Sequence, residues 1–586
     1  MKKKIIWLIV SSLMVLSLVL ASCGTKTAPT TTPITTLTTT IVTTTTTTSP
    51  TTKVIPTPTG EVPKYGGTFT YRNRVDVTHF DPFFSAGIGA KLWYEELGMR
   101  DLTVDRKIWE FKLGYYPYVT GRLIESWEMA PDFKSFTLHV RKGVRWHDIP
   151  PVNGRELTAY DIEWNFHRIL GLGSGFSKPT PWRGDIDNFR QIKSVTAIDK
   201  YTVVCGLAEP SIEEYLYIFQ RMSIFMVARE SVEKWGTVED WQNTIGTGPF
   251  ILKDYVRGTS ITALKNPYYW GYDRLNLKNQ LPYVDIAKIL IIPDDATAYA
   301  ALRTGKIDVV DSVSWVQAAS LKQTNPELIQ GSLPQNGWCI LLHVDTKPFD
   351  DFKVRRAMQM ALDVPTIAKT YFGGTMEAEP KGVFAVPGYC TPFAQWPQEV
   401  KDGYTYNPTG AKKLLAETGY PSGFKFTLTA SVAHDIDLYQ IIKSYFKDIG
   451  IEMEIQVMDN SAFTAYTQAD KHVAMSSQLG SNVTYPPFVL GDQFRSGHFV
   501  YRGHIVDSAY DVMWDKSRAS TTEEAYRSLV IKMGDYANAK QWRVILPPLK
   551  NFTIWQPWLK GYQGELDILD ELSALVWVDQ TMKEEK

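Results

Sequence analysis

Apolar and polar positions alternate at Phe136, Leu138 and Val140, the spacing of a strand with one buried face. Arg141, Lys142 and Gly143 read as a turn into Val144, Arg145 and Trp146. The period then changes. Ile162, Phe166 and Ile169 recur at helical spacing, and Thr158 with Asp161 three positions later marks the N-terminus of that helix. Two alternating runs around Asp199-Lys200 predict a hairpin over 194–210. From Trp338 an apolar run predicts a strand, followed by a helix started by Asp350 or Asp351 with Val354, Met358, Ala361 and Leu362 facing inward. Asn407-Pro408 supplies an N-cap with proline at the first helical position. Ala411, Leu414 and Leu415 give that helix its apolar face, and Gly419 its stop. A strand over 425–430, a helix over 438–449 and a strand over 452–458 follow. This β–α–β alternation predicts a parallel sheet in an α/β lobe. No segment repeats.

The N-terminal pattern is of another kind. Lys2, Lys3 and Lys4 precede an apolar run from Ile5 to about Leu20, which reads as an export signal. The run is shorter than the ~20 apolar residues of a membrane span and contains Ser11, Ser12 and Ser17. It ends in Leu20-Ala21-Ser22-Cys23, which resembles the lipobox of bacterial lipoproteins. That resemblance implies a signal peptide over 1–22 and lipid attachment at Cys23. Residues 25–59 hold 20 Thr and 5 Pro in 35 positions. Such a segment has too little apolar area to offset its ordering entropy, so 23–60 is expected to be a tether. Two or more acyl chains, at ~0.8 kcal/mol per buried methylene, make such an anchor stable.

At 586 residues the chain exceeds one core, and two or three lobes are expected. The net charge is −1, with no basic or acidic block in the folded part, which argues against nucleic acid as a partner. Cys205, Cys339 and Cys390 make an odd number beyond Cys23. Cys205 and Cys339 fall in apolar strand-like runs, so buried thiols are expected rather than a disulfide framework. The nine histidines are scattered, with His434-Asp435 and His498/His504 the nearest to a ligand pattern. There is no HExxH and no Cys/His cluster, so no metal site and no cofactor are expected. There is no GxSxG elbow either. A secreted hydrolase with paired carboxylates is the competing function class; it would consume its ligand, where a binding protein returns it unchanged.

Several segments, taken in order, resemble one family. Residues 123–170 run strand, RKGV turn, aromatic, LTAYDI helix. Lys64–Tyr71, KYGGTFTY, looks like a first strand entered through its glycines, and His79-Phe80-Asp81-Pro82 resembles the LDP segment after it. Gly246-Thr247-Gly248-Pro249-Phe250 marks a turn expected to need unusual backbone angles; it lacks the Lys-Ser/Thr ending of a phosphate-binding loop. Residues 281–308 fit a further strand and helix, and 338–363 closely match PFxDxxVRxAxxxAxD. Together these resemble the extracytoplasmic solute-binding proteins, family 5, of ABC importers, which bind peptides, nickel and some oligosaccharides.

The resemblance implies an α/β periplasmic-binding-protein type 2 fold, cluster C-like, with two main lobes joined by a hinge and a smaller extra lobe. Lobe I would be discontinuous, over 61–105, 195–334 and 548–586. The extra lobe would span 106–194 and lobe II 335–547. A monomer held at the membrane only by its lipid would hand ligand to an ABC permease and, through it, to the ATPase. It would work in the periplasm or at the outer cell surface. The residues implied to face ligand are Trp338, Asn482, Thr484, Tyr485, His79 and Phe80. In peptide binders of the family an Asp in a DYxDP-like segment commonly pairs with the ligand ammonium. Here the matching stretch is 480–487, and Thr484 takes that Asp position. A buried ammonium without a carboxylate is strongly disfavoured, unless Asp435 or Asp437 substitutes. An oligopeptide is the first ligand class expected on family grounds. An oligosaccharide, stacking on Trp338 and Tyr485, is the second.

Overall fold

The computed structural model describes residues 61–585 except 78, 84–89, 102, 104–118, 181–190, 218–223, 335–336, 377, 387, 479–485, 498–502, 548–549, 566–567 and 570–571. The signal segment, the tether and Cys23, and likewise Asn482, Thr484 and Tyr485, lie outside the described residues.

Three sheets organise the chain. The first has seven strands in the order Ile329–Pro334, Lys550–Trp555, Val309–Val313, Thr68–Asn73, Ile286–Ile291, Ser260–Lys265, Phe250–Val256. Thr68–Asn73 lies parallel to both Ile286–Ile291 and Val309–Val313. Gly66 and Gly67, with φ of 104° and 84°, make the turn into this first strand, as its sequence implied.

The second sheet has five strands in the order Glu452–Met458, Lys425–Ser431, Ala474–Gln478, Trp338–Leu342, Arg543–Ile545. Its first three strands are parallel, and the other two run against them. All of Trp338–Leu342 is buried, which explains its unbroken apolar run. The helix Ile436–Asp448 covers the sheet with Leu438, Tyr439, Ile442 and Phe446, so the expected β–α–β unit is present. Asp351 starts the helix Phe352–Met360 by accepting from the Lys353 amide at 2.7 Å. Asn407 caps Pro408–Glu417 through the Gly410 amide at 2.8 Å.

The third sheet is antiparallel, in the order Ile124–Met129, Ser135–Val140, Thr202–Leu207, Ile192–Asp199. The helix Ala159–Leu170 packs on it. At its start the Thr158 amide donates to the Asp161 carboxylate at 2.8 Å, and Arg155 holds that carboxylate from the other side at 2.6 and 2.9 Å. The strand pairing corrects one boundary. Residues 195–207 were assigned to lobe I, yet Phe136 pairs with Cys205 and Leu138 with Val203 in this third sheet. Alternation identifies a hairpin but carries no information about which strand it joins. A boundary at 194/195 would cut the hydrogen bonds between Ile192–Asp199 and Thr202–Leu207.

The GTGPF segment brings a second correction. Gly246 and Gly248 are absent from the described residues with positive φ. They are required by close approach instead: a Cβ on Gly246 would sit 1.8 Å from the Trp93 carbonyl oxygen. His147 closes the joint from the third-sheet side. Its amide donates to the Gly246 carbonyl at 2.8 Å, its Nδ1 accepts from the Gly246 amide at 3.3 Å, and its Nε2 lies 3.1 Å from the Gly248 carbonyl.

Cys205 and Cys339 are buried thiols, and no disulfide occurs among the described residues. No helix among them is long and apolar enough to cross a membrane.

Candidate ligand cleft

The chain passes twice between the first and second sheets, and the passages run side by side. It leaves the first sheet at Pro334 and enters the second at Trp338, then leaves the second after Ile545 and returns at Lys550. Pro334 pairs with Lys550, and the Leu546 amide donates to the Trp338 carbonyl at 3.1 Å. Both passages meet each sheet at the edge where its parallel strands end. On the first sheet, Phe552 near the returning end pairs with Val313. On the second, Trp338 pairs with Gln478, the last residue of its strand. Ligands of open α/β sheets bind outside the carboxyl ends of strands, so this edge is where a cleft is expected.

On the first sheet that edge holds a cavity of about 610 Å³, whose lining includes Arg74, Asp295, Tyr299, Ser312 and Gln317. These residues directly follow the parallel strands ending at Asn73, Ile291 and Val313. The buried Arg72 and the half-exposed Arg74 share Asp295, at 2.7 and 3.0 Å. Arg74 also donates to the Ser312 carbonyl at 3.2 Å.

On the second sheet the edge carries an aromatic shelf. The Trp338 ring lies 4.7 Å from His434, and His434 lies 4.9 Å from Phe463. His434 Nδ1 accepts from the Ser431 amide at 3.2 Å, where the Lys425–Ser431 strand ends. Burial pushes the His434 imidazole down to about 4, so it is neutral at pH 7. Trp338 itself is 7% exposed, and its Nε1 has no hydrogen-bond partner among the described residues.

Two contacts tie the lobes across this edge. Trp315, opening the helix after Val313, donates from Nε1 to the Tyr371 carbonyl at 2.9 Å, and the Tyr371 hydroxyl donates to Asp435 at 2.7 Å. Farther along, the buried Glu213 pairs with Arg518 at 2.5 Å, and the Ile212 amide donates to the Ser520 carbonyl at 2.8 Å.

The structure therefore separates the residues implied to face ligand. Trp338 stands at the passage between sheets. The 479–485 segment containing Asn482, Thr484 and Tyr485 directly follows Gln478, on the same edge, but is itself outside the described residues. Phe80 is packed in the first core between Trp93 and Tyr255, with ring centroids 6.1 and 5.0 Å away. His79 is turned toward Glu239 at 3.8 Å. The reason is the neighbouring Asp81, which is fully buried and ion-paired with Arg168 of the third-sheet helix, fixing the whole segment as a packing joint. Asp435, a candidate partner for an ammonium, already caps Ile436–Asp448 through the Leu438 amide at 3.0 Å and accepts from Tyr371. Asp437 is exposed on the same helix. Sequence reasoning missed Trp315, Tyr371 and Phe463 as cleft residues. Their one signal is position, immediately beyond or across from a strand end. The expectation of scattered histidines also fails at one place, where His343, His472 and His504 gather.

Comparison with known proteins agrees with this architecture. Residues 119–500 match the model of the bacterial extracellular solute-binding proteins, family 5 Middle. The dipeptide-binding protein of Escherichia coli K12 is 30% identical over 332 residues, covering 55% of this chain and 58% of that protein. The match therefore spans under two thirds of that relative. Di/tripeptide-binding protein 1 of Pseudomonas aeruginosa is 25% identical over 478 residues, covering 78% of this chain and 85% of that protein. Among solved structures, the periplasmic binding protein DppA of Helicobacter pylori, in complex with the peptide STSA, superposes with a TM-score of 0.71 at 21% identity, covering 88% of this chain and 99% of that one. The family match extends over most of the folded part, on a fold with two sheets meeting at their carboxyl edges. The chain belongs to the bacterial extracellular solute-binding proteins of family 5, extracytoplasmic carriers of the ABC-importer type and not enzymes.

Proposed function

We infer that this protein captures an oligopeptide between its two main sheets and delivers it to the permease of an ABC importer. The observation carrying this reading is the paired passage at Trp338 and Leu546, which joins two carboxyl edges, one lined by Arg74 and Asp295 and the other by an aromatic shelf. Two parallel connections between lobes make a hinge, and closure about it would bury the ligand. The ligand favours the closed form only by its differential affinity for it. The closing lobes are built on the seven-stranded sheet and on 335–547, while the smaller lobe runs from 106 to about 207, given the pairing of its hairpin. Peptide is supported by two relatives named for dipeptides and tripeptides and by the structural neighbour holding STSA. Trp338, Asn482, Thr484 and Tyr485 would line the cleft on the second sheet's edge. Phe80 and His79 would support the fold instead. Cys23 would carry the lipid, and 23–60 would tether the monomer to the membrane beside its permease.

A neutral oligosaccharide is the second reading. It is favoured by Thr484 at the position of the ammonium-binding Asp and by Asp435 already holding a helix cap and Tyr371. Calorimetry and thermal shift with di-, tri- and longer peptides, and with β-linked oligosaccharides, separate the two. A tight ligand raises the melting temperature with occupancy. Saturable binding of peptides supports the first reading; binding of sugars alone overturns it. Thr484→Asp sharpens the comparison, since it should improve affinity for free-amino peptides and leave sugars unchanged.

A further inference from the structure

The far edge of the second sheet carries a cluster of a different chemistry. His343 directly follows Leu342, the last residue of its strand, and His472 precedes the neighbouring strand that begins at Ala474. The His343 amide donates to the Val473 carbonyl at 3.0 Å, which holds the two strand ends together. Both imidazoles are 3% exposed. Their Nε2 atoms face each other at 3.2 Å. Asp470 brings a carboxylate oxygen 3.4 Å from His343 Nε2. His504, whose ring stacks on His343 at 3.7 Å, stands between two carboxylates. Its Nε2 lies 2.8 Å from Asp470 and its Nδ1 3.0 Å from Asp345. Asp470 and His504 both adopt left-handed backbone conformations, with φ of 56° and 52°.

The geometry points to a divalent transition-metal site, with His343 Nε2, His472 Nε2 and Asp470 as ligands of a Zn²⁺-class ion. Tetrahedral zinc with Zn–N near 2.0–2.1 Å sets its ligand atoms about 3.3 Å apart, and the two measured separations from His343 Nε2, 3.2 and 3.4 Å, match that spacing. Two imidazoles and a carboxylate are a donor set such ions prefer, whereas Ca²⁺ and Mg²⁺ take oxygen. The negative charge of Asp470 and Asp345 offsets that of the ion. His504, hydrogen-bonded to both carboxylates, is the orienting residue that sets the direction of the Asp470 ligand. A water completes the coordination.

The site is separate from the cleft. Trp338 and His343 stand at opposite ends of one strand, about 16 Å apart at ~3.3 Å per residue. The metal would therefore be resident, clamping the two strand ends to the segment around His504 that leads into the helix Ser508–Arg518. It does not depend on which ligand the cleft takes.

The test uses the untagged full chain, stripped with a chelator and titrated with Zn²⁺ against a chromophoric competitor. The expected result is one Zn²⁺ per chain with a raised melting temperature. Co²⁺ should give the visible absorption of a tetrahedral nitrogen–oxygen site. His472→Gln should abolish both. Asp470→Asn, an exposed position, keeps the test valid if the buried variant fails to fold, and should lose the Co²⁺ band. Asp345→Asn should weaken Zn²⁺ about 10- to 100-fold, the usual loss for an orienting partner. If the wild-type chain binds no Zn²⁺, Co²⁺ or Ni²⁺ at micromolar concentration, the His343–His472 contact is an N–H···N hydrogen bond and the proposal is wrong. Unchanged stoichiometry in folded Asp470→Asn and His472→Gln proteins overturns it equally.

Discussion

His147 offers a stability measurement that can be worked through from the structure. It is 1% exposed and sits between the smaller lobe and the first sheet, bonded to Gly246 and Gly248. Burial pushes its imidazole from 6.5 down to about 4, with the hydrogen bond to the Gly248 carbonyl opposing the shift only in part. The folded protein therefore keeps His147 neutral, with its Nδ1 lone pair facing the Gly246 amide. The unfolded chain takes up a proton as pH falls through about 6.5. Between there and about 4 the unfolded state holds more protons, so stability falls with falling pH across that window. A shift of roughly 2.5 units at 1.36 kcal/mol each makes the full loss on the order of 3 kcal/mol.

Urea denaturation at closely spaced pH values from 7.5 to about 4, for wild type and His147→Gln, isolates this contribution. Other acid-sensitive groups, His434 among them, act in both proteins and cancel in the difference. The variant should be less stable at pH 7 by about 1–3 kcal/mol, because buried amide and carbonyl groups lose their partner. The gap should narrow toward pH 4 as wild type loses what the variant no longer has. Parallel curves, with a constant gap throughout, would show that His147 titrates as freely in the folded state as in the unfolded one. The burial argument would then be wrong.

The remaining predictions concern packing, the cleft and the anchor. Gly246→Ala should prevent folding or lower the melting temperature steeply, since the new methyl would meet the Trp93 carbonyl oxygen at 1.8 Å; near-wild-type stability would refute the close approach. Trp338→Ala should weaken ligand binding by roughly 1–3 kcal/mol and also cost stability of about 3–5 kcal/mol, because the ring belongs to the second core. Loss of stability with unchanged affinity in the folded fraction would remove Trp338 from the cleft. Cys23→Ala should leave a precursor without lipid; mass spectrometry of the wild type showing an unmodified chain with another N-terminus would refute the lipobox reading.

Much of the fold was legible because local physics and tertiary structure agree there. Thr158 and Asp161 set the start of Ala159–Leu170 by capping, and the 425–458 unit shows its parallel strands through apolar runs around an amphipathic helix. What was not legible depended on pairing at a distance. The 192–207 hairpin shows its own alternation but not its partner, since nothing in Val203 or Cys205 names Leu138 or Phe136. His343 and His472 stand 129 positions apart and meet only because two antiparallel strand ends are neighbours. The GTGPF glycines signalled a constraint correctly, but composition could not tell a strained turn from a carbonyl pressed against the chain.

The distribution of these successes has a physical cause that bears on ligand. The segments carrying the family resemblance are joints: His147 locks onto GTGPF, and Asp81 of the HFDP segment is buried against Arg168. A joint constrains residue identity tightly, because an unpaired buried charge or an extra methyl is costly there whatever the protein carries. The cleft is built instead from residues just past strand ends, at 312–317, 431–434 and 459–463, where neither helical nor strand period applies. Such positions can change with the ligand while the joints keep the lobes and their hinge in register. The motif segments therefore identify the carrier, and the identity of its cargo rests with Trp338, His434, Phe463 and the stretch that follows Gln478.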